Sequence, residues 1–328
     1  MDRTPPAAGG AARPAGPRRL RVASVSLGSS RRDHRAVLPM LGAEVEIARM
    51  GVDGDVDAAE RLIARLSGDV DAIGLGGIDV YLHIGGERYV IADGERLLRA
   101  AGGTPCVDGS GLKQTLEPRA VRWLAARGPL PLAGLPALMV CALDRYGMAV
   151  ALEEAGCRVV YGDLMFTAGI PYPIRSLPEW ARITRRLVRE MVRLPVHMLY
   201  PTGSAQDAAA DGGAAAGGAM FDAEYAAAGL IAGDFHLVRK HLPGPAAMAG
   251  KAVLTQTTTV ADRDALRALG VRYLFATTPA AGGRTFGTNA VEAALVAVLG
   301  RRPEDLGPGD YEGALDAMDY RPEVWQWR

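Results

Sequence analysis

The chain has 328 residues, of which 49% are hydrophobic and 23% charged, and its 37 basic residues balance its 37 acidic ones. This length suggests about two domains, and the composition excludes a fibrous or wholly disordered chain. The balanced charge disfavours nucleic acid and membrane surfaces as partners, so a small-molecule partner is favoured.

Residues 1–19 are rich in Pro, Ala and Gly and lack the apolar core of a secretory signal, which predicts a disordered tail. No run of about 18 uncharged apolar residues predicts a membrane span. The three cysteines show no CxxC spacing, so we expect buried, reduced thiols and no metal site. These features predict a cytoplasmic protein and leave a homo-oligomer open.

Strands and helices alternate over residues 20–127. A buried strand, LRVASVSLG, leads into the loop SSRRDHR, a second strand, EVEIARMG, and the helix DVDAAERLIARLSG. The strand VDAIGLGG follows, then a hairpin with paired glycines at its turn, a helix, the strand TPCVD and the helix LKQTLEPRAVRWLAAR. This alternation predicts an N-terminal α/β lobe with a parallel sheet.

Residues 128–136, GPLPLAGLP, have the composition of a linker. The next segment, ALMVCALDRYGMAVALEEAGCRVVYGD, has the strand–helix–strand pattern of a mononucleotide-binding half. We therefore predict a Rossmann-like lobe over 137–300, with a flexible low-complexity insertion at 206–220, and a C-terminal extension over 301–328. The predicted fold class is α/β, with two lobes and mainly parallel sheets.

Three residues of the first lobe are candidates for catalysis, namely Asp79, Asp108 and Lys113. Lysine occurs only at positions 113, 240 and 251 while arginine is abundant, so a lysine retained in a loop points to a proton that can leave. Asp79 ends a strand and could bind a hydroxyl. Asp108 is either a partner for Lys113 or a helix cap, and Lys113 itself is either functional or solvated.

Polar residues that follow the first strand are candidates for binding the carboxylate or phosphate of a substrate. They are Ser29, Ser30, Arg31, Arg32 and His34. A charged turn that caps the next element is the alternative. Thr288 and Asn289, near the start of a helix, are further substrate-binding candidates, with Arg284 supplying charge, and capping is again the alternative.

Candidates for cofactor contact lie in the second lobe. They are Asp144, Arg145, Gly147, Asp163 and Thr277. Capping by Asp144 and strand termination by Asp163 are the alternatives. The string DFHLVRKH contains Asp234, His236 and His241, whose spacing favours a hydrogen-bonded acid or base over a metal site.

Five strings, VSLGSSRRDH, GLGGIDVYL, VDGSGLK, DRYGMA and YPTG, resemble bacterial quinate 5-dehydrogenases. The resemblance implies the two-lobe architecture of shikimate and quinate dehydrogenases, a lysine paired with an aspartate at the reacting hydroxyl, and NAD or NADP as cofactor. Lys113 occupies the comparable place, although VDGSGLK replaces the family string NVTxPxK. The glycine-rich GAGGA loop is also missing, and LDRYGMA stands there instead.

Two functions are therefore expected. The first is an NAD(P)-dependent dehydrogenase acting on a cyclic polyol acid such as quinate or shikimate. The alternative is a non-redox binding or regulatory protein for a small anionic metabolite, which the missing pyrophosphate loop favours.

Overall fold

The computed structural model describes residues 17–200, 202–203 and 218–328. The elements of the N-terminal part are β1 (Arg18–Ser26), β2 (His34–Met40), β3 (Ala43–Gly51), α1 (Val56–Leu66), β4 (Ala72–Gly76), β5 (Tyr81–Ile84), β6 (Glu87–Val90), α2 (Ala92–Ala100), β7 (Cys106–Val107), α3 (Ser110–Lys113) and α4 (Leu116–Arg127). A 3₁₀ turn spans Ser30–Arg32.

The first sheet has the order β2-β3-β1-β4-β7, and all neighbours are parallel except β2 and β3. The predicted parallel sheet and the predicted hairpin, β5–β6, are confirmed. The first two residues of β2, His34 and Arg35, were predicted to belong to a loop. Strand β2 pairs with β3 because Leu41 and Gly42, both at positive φ, make a tight turn between them.

The elements of the C-terminal part are β8 (Pro136–Met139), α5 (Tyr146–Glu154), β9 (Arg158–Tyr161), α6 (Asp163–Ala168), α7 (Leu177–Met191), α8 (Val196–Leu199), α9 (Gly218–Ala227), β10 (Leu230–Ala232), α10 (Phe235–Lys240), α11 (Pro245–Met248), β11 (Ala252–Thr255), α12 (Val260–Ala268), β12 (Tyr273–Ala276), β13 (Ala280–Ala281), β14 (Arg284–Thr285), α13 (Thr288–Leu299), α14 (Pro308–Ala317) and β15 (Glu323–Gln326). A 3₁₀ turn spans Pro303–Asp305.

The second sheet has the order β15-β12-β11-β10-β8-β9, parallel throughout except for β15. In the first sheet β1 lies between β3 and β4, and in the second sheet β8 lies between β9 and β10. The strand that comes first in the chain therefore has later strands on both of its sides. This reversal of order is the switch point of a doubly wound fold. The protein is thus an α/β protein with two mainly parallel sheets, the second Rossmann-like.

Helix α13 lies against β4 and β1 of the first sheet, although the sequence analysis placed residues 137–300 in the second lobe. Every residue from Thr288 to Ala297 is buried. A helix that is apolar on every face has to be buried on all sides. A helix on the outer face of a single sheet would leave one of its sides exposed to solvent. The predicted C-terminal extension is also divided, since β15 pairs with β12 while α14 packs on α3 and α4.

Several predicted segments have different bounds in the structure. Residues 1–16 of the predicted tail lie outside the described residues, and Arg18 and Arg19 belong to β1. Residues 204–217 of the predicted insertion also lie outside the described part, and α9 begins at Gly218. The three cysteines are free and buried, as expected. Among the described residues, no helix is both long and apolar enough to cross a membrane.

Candidate functional site

A central cavity of about 120 Å³ lies at the carboxyl ends of the strands of both sheets. Ser26 lines it as the last residue of β1, Asp79 lines it after β4, and Asp144 and Asp234 line it after β8 and β10. These four strands flank the two switch points, the place where doubly wound sheets bind ligands. The chain order of the strands therefore brings the polar residues that follow them together.

Lys113 is the centre of a buried cluster at one end of the cavity. Its Nζ donates to Oδ1 of Asp79 at 2.5 Å and to Oδ1 of Asp144 at 2.7 Å. The hydroxyl of Tyr200 donates to the other oxygen of Asp79 at 2.9 Å. The aspartate partners of Lys113 are thus Asp79 and Asp144, and not Asp108.

Arg145 forms a second buried cluster that shares Asp144 with the first. Its guanidinium donates to Asp144 at 2.9 Å, Glu117 at 2.6 Å, Asp234 at 2.9 Å and the hydroxyl of Thr288 at 2.9 Å. These partners come from α4, α13 and the ends of β8 and β10. Arg145 therefore joins elements that pack on both sheets.

The two carboxylates beside Lys113 have opposite pKa shifts. Burial raises the pKa of Asp79 well above its usual value, and this outweighs the attraction of Lys113. Burial acts the same way on Asp144, but the positive charges of Arg145 and Lys113 outweigh it and hold the pKa of Asp144 well below its usual value. A pair of carboxyls whose pKa values are driven apart is an arrangement suited to acid–base chemistry.

The opposite end of the cavity is basic. Nη1 of Arg32 lies 2.9 Å from Nδ1 of His236, and its Nη2 donates to the carbonyl oxygen of Thr257 at 3.1 Å. Nη1 of Arg284 lies 3.0 Å from Nδ1 of His34. Burial and the charge of Arg32 lower the pKa of His236 to about 3, and burial also lowers the pKa of His34. The two imidazoles are neutral at pH 7, so the arginines supply the positive charge.

Thr257 has a φ of 63° at this basic end. Left-handed backbone is unfavourable for a β-branched residue and costs on the order of 1–3 kcal/mol. Strain of this kind is concentrated at functional sites. The conformation directs the carbonyl oxygen of Thr257 to Arg32.

The N-terminus of α13 borders the cavity, where Thr288 and Asn289 line the wall. The side-chain amide of Asn289 donates to Oγ of Ser24 at 2.9 Å. Gly74 and Gly109 allow this helix end to approach, because a Cβ on either would lie 2.6 Å or 2.8 Å from backbone atoms of Asn289. The glycines of GLGG and DGSG thus make room for a helix of the protein itself.

The substrate-binding candidates are divided by the structure. Arg32, His34, Thr288 and Asn289 line the cavity. Ser29, Ser30 and Arg31 do not, because the 3₁₀ turn directs them elsewhere: Oγ of Ser29 caps that turn, the amide of Ser30 donates to Asp53, and Arg31 is exposed.

The remaining candidates are divided in the same way. Asp144 and Arg145 line the cavity. Asp108 borders it, but its oxygens accept from the amides of Val80, Tyr81 and Ser110. Gly147, Asp163 and Thr277 are buried outside the lining.

The turn between β8 and α5 does not fit a dinucleotide. The amides of Ala142 and Leu143, which could face a pyrophosphate, donate to the carboxylate of Asp163. Gly147 faces the carbonyl oxygen of Lys113. The cavity is also well below the roughly 300–1,000 Å³ of pockets for drug-sized ligands. Four of the five residues expected to contact NAD or NADP therefore hold this turn and its neighbours together, and the fifth, Thr277, follows β12.

Replacing Gly147 by Ala tests this packing role. A Cβ there would lie 2.3 Å from the carbonyl oxygen of Lys113, a backbone atom that cannot yield easily. We expect Gly147→Ala to lower the free energy of unfolding by about 1–3 kcal/mol, measured by urea denaturation. Gly313→Ala, in α14 with nothing within 4 Å of its Cβ, should be neutral or stabilising by about 1 kcal/mol. Equal effects of the two changes would contradict the packing role.

Two residues of the site, Tyr200 and Glu117, were not predicted from the sequence. Tyr200 belongs to the quoted string YPTG, but it is 121 residues from Asp79 in the chain. Glu117 lies in α4 and is fully buried. A single Glu in an amphipathic helix normally indicates an exposed position, so this burial could not be predicted. Asp234 was noted with His236 as a candidate acid or base. It instead caps α10, with Oδ1 accepting from the amide of His236.

Comparisons with family models identify the family. Residues 111–327 match the model described as Domain of unknown function (DUF8754). The chain belongs to this family. Residues 21–108 match Domain of unknown function (DUF8753). The Lys113 cluster draws on both, since Asp79 lies in the DUF8753 segment and Asp144 in the DUF8754 segment.

No curated protein matches the chain. Among solved structures, it is similar to a sugar ABC transport system substrate-binding protein from Bordetella parapertussis 12822 at 12% identity, with 81% of this chain and 77% of that chain covered and a TM-score of 0.31. A Mycobacterium smegmatis protein in complex with β-D-fucofuranose has 10% identity, coverage of 94% and 91%, and a TM-score of 0.32. A dipicolinate synthase chain from Bacillus halodurans has 11% identity, coverage of 87% and 98%, and a TM-score of 0.27.

Proposed function

We propose that the central cavity binds a small hydroxylated anion, such as a polyol acid, without a redox cofactor. The observation that carries this proposal is the polarity of the cavity, with Arg32 and Arg284 at one end and Lys113 with Asp79 at the other. A molecule that has a carboxylate at one end and hydroxyls along its body is complementary to both ends.

The basic end suits the anionic group. Arg32 and Arg284 are permanently charged, and the N-terminus of α13 adds the positive end of its dipole. His34 and His236 contribute hydrogen bonds but no charge, given their lowered pKa values. A carboxylate pairs with the positive charge and accepts these hydrogen bonds at the same time.

The other end suits a hydroxyl group of the ligand. Tyr200 retains its own proton, because burial and then the charge of Asp79 raise the pKa of its hydroxyl. Burial opposes the charge on Lys113, but Asp144 and Asp79 outweigh it and raise the pKa of its ammonium. Asp79, whose pKa is raised, is therefore the residue of this cluster whose protonation can change when a ligand hydroxyl hydrogen-bonds to it, while Lys113 and Tyr200 orient it.

Isothermal titration calorimetry with quinate and shikimate as probes tests the anionic end. We expect Arg32→Gln to weaken binding roughly 10- to 100-fold, the value of one charge-assisted hydrogen bond. Arg31→Gln is the matched control, because Arg31 is the exposed neighbour outside the cavity. If both substitutions weaken binding equally, the anion assignment is wrong.

The contact between Lys113 and Asp79 favours a second candidate, the NAD(P)-dependent dehydrogenase implied by the resemblance to quinate 5-dehydrogenases. That resemblance expects a lysine and an aspartate at the reacting hydroxyl. Titration with NAD+ and NADP+ in the presence of quinate separates the candidates. Dinucleotide binding with reduction supports the dehydrogenase, and binding of quinate without either supports the non-redox function.

A further inference from the structure

Strand β15 forms one outer edge of the second sheet. It pairs with β12 in antiparallel register, with Trp325 opposite Leu274 and Val324 opposite Phe275. The residues of β15 lie outside the lining of the central cavity. An outer strand can pair on its second side as well, so its free backbone groups indicate a contact that the single chain does not make.

The backbone of β15 alternates between groups that face β12 and groups that face away from it. The amide of Trp327, directly after the strand, donates to the carbonyl oxygen of Arg272 at 2.9 Å, so Trp327 faces β12. Alternate residues of an antiparallel strand present their N–H and C=O groups to opposite sides, so Trp325 also faces β12. Val324 and Gln326 therefore present theirs to the outer side, where neither bonds to another described residue.

The opposite edge of the same sheet is closed. There the amide of Tyr161 in β9 donates to the carbonyl oxygen of Ile174 at 2.8 Å, and the amide of Ile174 donates back at 3.2 Å. Within the described part of the chain, no segment pairs with the outer side of β15 in this way. Val324 is 39% exposed, and Gln326 is exposed as well. The outer side of β15 is therefore accessible to another chain.

We propose that two copies of this chain associate through β15, in an antiparallel pair about a two-fold axis at Trp325. In this register Val324 of each copy lies opposite Gln326 of the other, and each of these two symmetric pairs exchanges two hydrogen bonds. The outward groups of both strands are thereby bonded. Because the same edge serves both copies, the pairing closes on itself and does not extend into a polymer.

The side chains of β15 favour a second copy as the occupant. The two-fold axis places Trp325 of one copy beside Trp325 of the other, at a pair without backbone bonds, where side chains come closest. The ring is half-buried, with the guanidinium of Arg263 4.9 Å from its centre, so it already has a fixed orientation. Glu323 is the single charged residue of EVWQ and lies opposite Trp327 of the second copy, so like charges do not meet.

Sedimentation equilibrium of the full chain tests the proposal. One strand pair buries little surface, so we expect a weak dimer that forms over roughly 10–500 µM. Gln326→Pro removes the outward donor and no bond to β12, and should weaken association at least roughly tenfold. Gln326→Thr keeps the amide and suits a strand, so association should stay within about twofold of the wild type.

Hydrogen exchange of the wild-type chain provides a measurement that needs no variant. The amides of Val324 and Gln326 should exchange roughly twofold more slowly once half of the chains are dimeric, because only the monomer leaves them open to water. The amide of Trp327 already bonds to Arg272, so its exchange should not vary with protein concentration.

A chain that remains monomeric up to about 500 µM would overturn the proposal, and a peptide of another protein would then be the candidate for this edge. A dimer that persists in Gln326→Pro, or that leaves the exchange of Val324 and Gln326 unchanged, would also overturn it, because the contact would lie elsewhere. Since β15 lies outside the central cavity, the result is independent of the binding of quinate.

Discussion

Lys113→Met should lower the free energy of unfolding by about 3–5 kcal/mol at pH 7, the usual cost of removing one partner from a buried ion pair. The ammonium lies between Asp79 and Asp144, both of which are buried. Without it, two carboxylates remain close together with less positive charge to balance them. Urea denaturation measures the loss, and Lys240→Met, at an exposed lysine, should change stability by less than about 0.5 kcal/mol.

The pH dependence of this loss identifies its cause. The charge of Lys113 lowers the pKa of both Asp79 and Asp144, so both carboxyls have higher folded-state pKa values in Lys113→Met than in the wild type, and the deficit in stability grows as pH rises from the wild-type towards the variant values. The wild-type stabilisation from Asp144, whose pKa is lowered, is lost only below its unfolded pKa of about 3.9. The difference between variant and wild type should therefore shrink from pH 7 to pH 5.

A double variant separates charge from packing. Adding Asp79→Asn to Lys113→Met removes one of the two carboxylates and should recover part of the lost stability. A loss that is independent of pH and unaffected by Asp79→Asn would mean that Lys113 contributes through the packing of its stem.

The general architecture could be predicted because it depends on local patterns. Alternating strands and helices indicate a parallel sheet wherever they occur, and polar residues after the strands meet at one edge of it. That reasoning led to Asp79, Lys113, Arg32 and Asp144. Helix α13 shows its limit, because its apolar sequence indicates burial and does not specify which sheet it covers.

The partners within the site could not be predicted, since they depend on three-dimensional packing. Asp108 is five residues from Lys113, but backbone amides of Val80 and Tyr81 already occupy its carboxylate. Asp79 is 34 residues away and takes its place. Similarly, the glycines expected to admit a ligand instead admit α13, because a glycine in a sequence shows that something approaches and not what it is.

Arg145→Met should be at least as destabilising as Lys113→Met, by about 3–5 kcal/mol, because it leaves Asp144, Glu117 and Asp234 without their shared guanidinium. Arg145→Lys should recover only part of this, since one ammonium cannot replace a fork of donors that reaches three carboxylates.

Arg119→Met is the matched comparison, because Arg119 also bonds two carboxylates, yet its side chain is 25% exposed. Its loss should cost at most about 1 kcal/mol. Urea denaturation of the three variants ranks them. If Arg145→Lys were as stable as wild type, the fork of donors would not matter, and if Arg119→Met were as unstable as Arg145→Met, the burial of the contacts would not matter. The expected order, with Arg145→Met least stable and Arg119→Met near wild type, would show that the arginine between the two sheets holds the site together through desolvated charge.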